Sequence, residues 1–154
     1  MKKLFLLSAL FVFTFGFGQN SGTFNFDDIK DINTVKIFKK FCFEKEFVKV
    51  EDNEGVLTYA KGYQSDKKTA NVWAHYSINE DLFILQFSRN YFDSSHPSFQ
   101  KILNYVKKQC KFYDFKDNNG DEYICYSCLN SSFKGKIGFL RDKDGGDYVR
   151  TFDF

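Results

Sequence analysis

The sequence predicts an α+β fold of two tandem pseudo-repeats, each a helix followed by a four-stranded antiparallel meander. Three observations predict it. Sliding the chain along itself by sixty-five residues places Phe47, Asp52, Asn53, Gly55 and Phe87 on Phe112, Asp117, Asn118, Gly120 and Phe152 without a gap. Val50/Phe115, Val72/Ile137, Phe83/Tyr148 and Ile84/Val149 keep their apolar character in the same alignment. In each half the apolar period changes from that of a helix to the alternation of strands, with turn-forming clusters between the runs.

Taken in order, Met1-Lys2-Lys3 is a basic start, and Leu4–Phe17 is an almost unbroken apolar run. With the small-x-small pattern Gly16-Phe17-Gly18, this reads as a signal peptide over residues 1–18, cleaved before Gln19. Residues 19–154 are then a single α+β domain with pseudo-repeats over 24–92 and 93–154. Gln19–Phe26 is polar and Gly-containing and reads as a frayed lead-in. Asp27–Ile32 forms a turn or two of helix, with Asn33 as the cap of the next. From Val35 to Phe43 the residues Val35, Ile37, Phe38, Phe41 and Cys42 share one helical side, and Lys36, Lys39 and Lys40 the other.

Four strands follow, running from Phe47, from Val56 to Tyr63, from Val72 to Ile78 and from Leu82 to Ser88. Asp52-Asn53-Glu54-Gly55 and Asn79-Glu80-Asp81 supply turns. In the second half Pro97 suits a first helical turn, and Phe99, Ile102, Leu103 and Val106 fall at helical spacing. Strands over 111–116, 121–129, 136–142 and 147–154 complete the second meander, punctuated by Asn-Gly and Gly-Gly.

The full chain carries 22 Lys+Arg against 20 Asp+Glu, and Lys2 and Lys3 leave with the leader. A neutral chain lacks the basic footprint of a nucleic-acid binder, and no stable membrane insertion is expected after cleavage. About 136 residues remain, enough to bury roughly two-thirds of the unfolded surface. A single Pro and abundant Phe and Tyr argue against disorder.

Cys42, Cys110, Cys125 and Cys128 all lie in the exported part, where an even count favours two disulfides. Three pairings exist. The short separation favours a bond from Cys110 to the strand holding Cys125 and Cys128; those two, three apart on a strand, face opposite ways and do not bond each other. The alternative is thiol-disulfide redox chemistry at Cys125 and Cys128, although a strand offers no helix amino terminus to stabilise a thiolate. Zinc is disfavoured because Cys42 and Cys110 are isolated single residues, and no metal or cofactor is expected. His75 reads as a hydrogen-bonded sheet histidine and His96 as a local cap. Asp114, Asp117, Asp121 and Glu122 lack the ordered spacing of a calcium loop. No nucleophile elbow, phosphate loop or His-Glu-x-x-His motif occurs, so an enzyme is not the expectation.

The aromatic residues carry the functional reading. Tyr59, Tyr63, Trp73, Tyr76, Tyr123 and Tyr126 have the composition of a binding surface, and Tyr91 and Tyr113 add to the excess. A sheet with helices on one side leaves its other face for them. In its leader, in the Lys-Lys-x-Cys helix ends and in the strand Tyr123-Ile124-Cys125-Tyr126-Ser127-Cys128, the chain resembles small uncharacterised exported proteins of Bacteroidota, a resemblance that brings no activity. The tandem plan is similar in topology to the β-lactamase inhibitory protein family, whose two repeats form a concave sheet that grips an enzyme. The expectation is a non-enzymatic binding or inhibitory module, periplasmic or extracellular, acting through an aromatic sheet face on another protein or a cell-envelope ligand.

Overall fold

The computed structural model describes residues 22–88, 96–116, 122–128, 136–141 and 146–152. The leader, Tyr91, the turns at 117–121 and 142–145, and the side chains of Tyr113, Asp114, Glu122 and Tyr123 lie outside the described residues. The elements run α1 (Phe26–Ile29), α2 (Val35–Glu44), β1 (Val48–Asn53), β2 (Val56–Lys61), β3 (Val72–Ser77), β4 (Leu82–Ser88), α3 (Pro97–Gln109), β5 (Lys111–Lys116), β6 (Glu122–Ser127), β7 (Lys136–Arg141) and β8 (Gly146–Phe152). The fold is α+β.

Local chemistry fixes the helix ends. Asn25 caps α1 in a capping box with Asp28. Thr34, rather than Asn33, caps α2 by accepting the Ile37 N–H. α2 stops in a Schellman arrangement: the Phe47 N–H donates to the Cys42 carbonyl at 2.8 Å and the Glu46 N–H to the Phe43 carbonyl at 3.2 Å. Glu46 takes the left-handed conformation (φ 61°) that glycine usually supplies there. The Phe41 and Phe47 rings, 5.6 Å apart, close the motif. α3 starts with Pro97 behind His96, whose Nδ1 accepts the Ser98 N–H at 3.2 Å. His96 is thus a cap, as the sequence implied.

The strands form one eight-stranded sheet in the order β1-β2-β3-β4-β8-β7-β6-β5, antiparallel throughout. The β1–β2 turn holds Glu54 at φ 50° and Gly55 at φ 83°, the two positive values of a type I′ turn. Alternation assigns the faces. Val72, Ala74 and Tyr76 of β3, Phe83, Leu85 and Phe87 of β4, Val149 of β8 and Ile137 of β7 are buried under the helices. Phe38 of α2 meets Tyr59, Tyr76 and Phe83, and Phe99 of α3 meets Phe87 and Phe139. Both long helices therefore cover the same face, and one core draws on both halves.

Two expectations are corrected. Residues 23–26 are not a frayed lead-in. Phe24 is 2 % exposed and lies against the rings of Phe41, Phe47 and Phe87. Its N–H donates to Oγ of the fully buried Ser98 at 3.0 Å, and Phe26 stacks on Tyr105 at 4.9 Å. Two Phe in a polar stretch were enough, because Phe24 fills the space between α2, β4 and Ser98 of α3, and Phe26 packs on Tyr105 of α3. The second correction concerns the last strand. The pairs Tyr59↔Ala74, Ala60↔Trp73 and Lys61↔Val72 recur sixty-five residues on as Ile124↔Phe139, Cys125↔Gly138 and Tyr126↔Ile137. In β8, however, buried Val149 pairs with Leu85, so the aligned pairs Phe83/Tyr148 and Ile84/Val149 are out of step by one residue. A one-residue slip exchanges the two faces of a strand.

Candidate functional site

The sheet divides five of the six aromatic residues singled out in the sequence between its faces. Tyr76 is fully buried on the helix-covered side, where its hydroxyl donates to Asp81 Oδ1 at 3.0 Å. Tyr126, 7 % exposed, lies on the same side beside Phe112 and Phe139, and Tyr59 packs edge-on against Phe38. Tyr123 is in β6, with its side chain outside the described residues. Trp73 and Tyr63 come together on the other face, their rings 5.6 Å apart and near perpendicular.

Trp73 alternates with the buried Val72 and Ala74, so it points away from the helices. Its neighbours across the ladder are Ala60 on β2 and Gln86 on β4. The small Ala60 leaves room for the half-buried indole. One step along, His75 stands between Thr58 and Ile84, its ring nearly parallel to that of Trp73 at 6.4 Å. Thr58 Oγ1 and His75 Nδ1 are hydrogen-bonded at 3.1 Å. Tyr63 reaches the cluster because Gly62, at φ 67°, turns the chain at the end of β2. The positive φ favours glycine here, and a Cβ on Gly62 would also push the Asn71 side chain aside, its Nδ2 lying 2.5 Å away.

Burial holds His75 below the usual imidazole value; at His96 burial, and then nearby Lys61, act in the same direction. The unfolded chain takes up protons near the ordinary value of 6.5 that the folded chain resists. This contribution to stability is complete above that value and is lost as pH falls from it toward the folded values. Urea midpoints are expected to drop between about pH 7 and about pH 5, and the double variant His75→Gln, His96→Asn to show a shallower drop. An unchanged slope would contradict this assignment.

The cysteines are only partly as expected. Cys110 is bonded to Cys128, joining the end of α3 to the end of β6. Cys42 and Cys125 are buried and stand outside any disulfide, so the expectation of two disulfides is corrected to one. The reason is distance and face. Cys42 packs on the helix-covered side near Tyr59 of β2, five strand steps from β6, about 24 Å at ordinary strand spacing. A disulfide requires Cα atoms within about 7 Å. Cys125 sits opposite Gly138 and points away from the helices, whereas Cys128 reaches toward α3. Thiol chemistry by Cys125 and Cys128 as a pair finds them on opposite sides of the strand. Burial pushes the Cys42 thiol up to about 12, the behaviour of an inert core residue.

No family model, curated protein or solved structure matches the chain. Among the described residues no group of three His, Cys, Asp or Glu could hold a metal ion, and no helix is long and apolar enough to cross a membrane. The sequence reading missed Thr58, Ala60, His75 and Gln86 as neighbours of Trp73. The signal was present: a hairpin turning at Asn79–Asp81 sets Ser77 opposite Leu82, and counting back from that pair sets Trp73 opposite Gln86.

Proposed function

We propose that the protein is an exported, non-enzymatic binding or inhibitory module that engages its partner through the sheet face turned away from the helices, centred on Trp73 and Tyr63. The observation that carries this reading is the cluster itself. Two large aromatic rings and an imidazole stand together, partly exposed, on a face that neither long helix covers. Aromatic residues of this kind, rigid and amphipathic, dominate recognition surfaces because they bring large contact area at low entropic cost. Export is supported by the leader and by the Cys110–Cys128 bond, which is at home in an oxidising compartment. Tandem duplication is part of the same reading, supported by the shared register of β2–β3 and β6–β7. So is the likeness in plan to the β-lactamase inhibitory protein family, which uses a sheet surface to hold its target.

Capture from the native cell-envelope fraction tests it. Wild-type protein is expected to retain a defined partner, and Trp73→Ser to retain at least tenfold less while its circular dichroism spectrum stays unchanged. Equal capture by the two proteins would refute the assignment of this face.

A further inference from the structure

We infer that the face around Trp73 is built to take a neutral sugar ring of a glycan, stacked on the indole and hydrogen-bonded at its rim. The inference rests on the binding reading above and names the ligand class for the same site. It follows from which atoms on this face are already used. Among the described residues, Trp73 and Tyr63 make ring contacts with each other and Trp73 a further one with His75. Among the described residues no group is hydrogen-bonded to the indole N–H, the Tyr63 hydroxyl or the Gln86 amide. His75 has spent only Nδ1, on Thr58. The aromatic surface therefore carries two unspent polar groups of its own, on Trp73 and Tyr63, and is flanked by two more, on Gln86 opposite Trp73 and on His75 one step along.

Ligand chemistry is narrowed by matching these features in turn. A wholly apolar occupant would cover the indole N–H and the Gln86 amide and leave them unpaired, which costs free energy at each group. A polyanion needs cations, and the described side chains of β2, β3 and β4 on this face, among them Thr58, Ser77 and Ile84, carry no charge. A pyranose satisfies both conditions. Its C–H face is flat and apolar, suited to a half-exposed indole beside the small Ala60, and its edge is lined with hydroxyls. A hydroxyl both donates and accepts, so it pairs with the indole N–H, with either end of the Gln86 amide and with His75 Nε2 in either tautomer. A flat platform also suits a repeating chain, which lies along a sheet rather than entering a cavity.

The test uses the mature full-length chain, whose single Trp is the residue in question. Malto-, cello-, manno- and N-acetylchitotetraose are titrated while Trp emission and calorimetric heat are followed. One or more is expected to give a saturable blue shift with matching heat, and Gln86→Leu and His75→Phe each to weaken it about tenfold, the worth of one hydrogen bond of about 1.4 kcal/mol. Trp73→Ala, followed by calorimetry, is expected to abolish it. Binding that is unchanged in Gln86→Leu and His75→Phe would overturn the inference, since the rim would not be read. Silence from all four sugars, with a protein captured in a Trp73-dependent manner, would overturn the sugar and keep the binding face. Silence together with no Trp73-dependent capture would overturn both.

Discussion

Replacing Phe24 by alanine is expected to lower stability by about 3–5 kcal/mol, the range for removing a fully packed Phe. At the heat capacity and entropy of a chain this size, that is a fall in melting temperature of roughly 10–15 °C. The magnitude follows from position. Phe24 is 2 % exposed and its ring lies 5.6 to 6.1 Å from those of Phe41, Phe47 and Phe87, which come from α2, the residue before β1, and β4. The cavity left would open on three elements at once, and none can move in without breaking its own packing. Differential scanning calorimetry checks the value. Ser98→Ala, which removes only the acceptor of the Phe24 N–H, is expected to cost about 1–3 kcal/mol. If Phe24→Ala melts within a degree or two of wild type, the amino-terminal segment is not part of the core.

Removing the Cys110–Cys128 bond is the second large effect. The two residues are 18 apart in sequence, and closing a loop of that length in the unfolded chain contributes about 3 kcal/mol. Cys110→Ala and Cys128→Ala are each expected to lose about that amount, and so is wild-type protein in reductant; the three should agree. The carboxyl-terminal half should feel the loss first, because the bond ties α3 to β6 beside the edge strand β5. A thiol count on denatured, unreduced protein should find two thiols, Cys42 and Cys125, where complete pairing would leave none. Denatured protein with no reactive thiol would contradict the arrangement described above.

Much of this fold was legible in local patterns. The α2 stripe of Phe38, Phe41 and Cys42 repeats at helical spacing, Pro97 marks the start of α3, and Glu54-Gly55 supplies the positive φ values of its hairpin. Each is a property of neighbours a few residues apart, and such properties survive into the folded chain. The parity argument was equally local: Cys125 and Cys128 are three positions apart, and the strand turned them to opposite sides. The lead-in failed for a reason that composition hides. Thr23-Phe24-Asn25-Phe26 reads as polar by average, yet its two rings find partners on α2, β4 and α3, elements separated in sequence.

By itself the sequence determined the α+β class, the order of the strands, the His96 cap, the turn at Glu54-Gly55, and the capacity for a disulfide between Cys110 and its neighbouring strand. Only the tertiary structure decided the rest. It joined the meanders through β4 and β8, slipped β8 by one residue against the repeat, and kept Cys42 and Cys125 apart. It also divided the aromatic residues, sending Tyr76 and Tyr126 into the core and leaving Trp73 and Tyr63 together on the far face. The physical reason is that the face a strand residue occupies depends on its register with a partner strand and on which side the helices pack. Both are set by burying the whole core at once, a condition that no single segment contains.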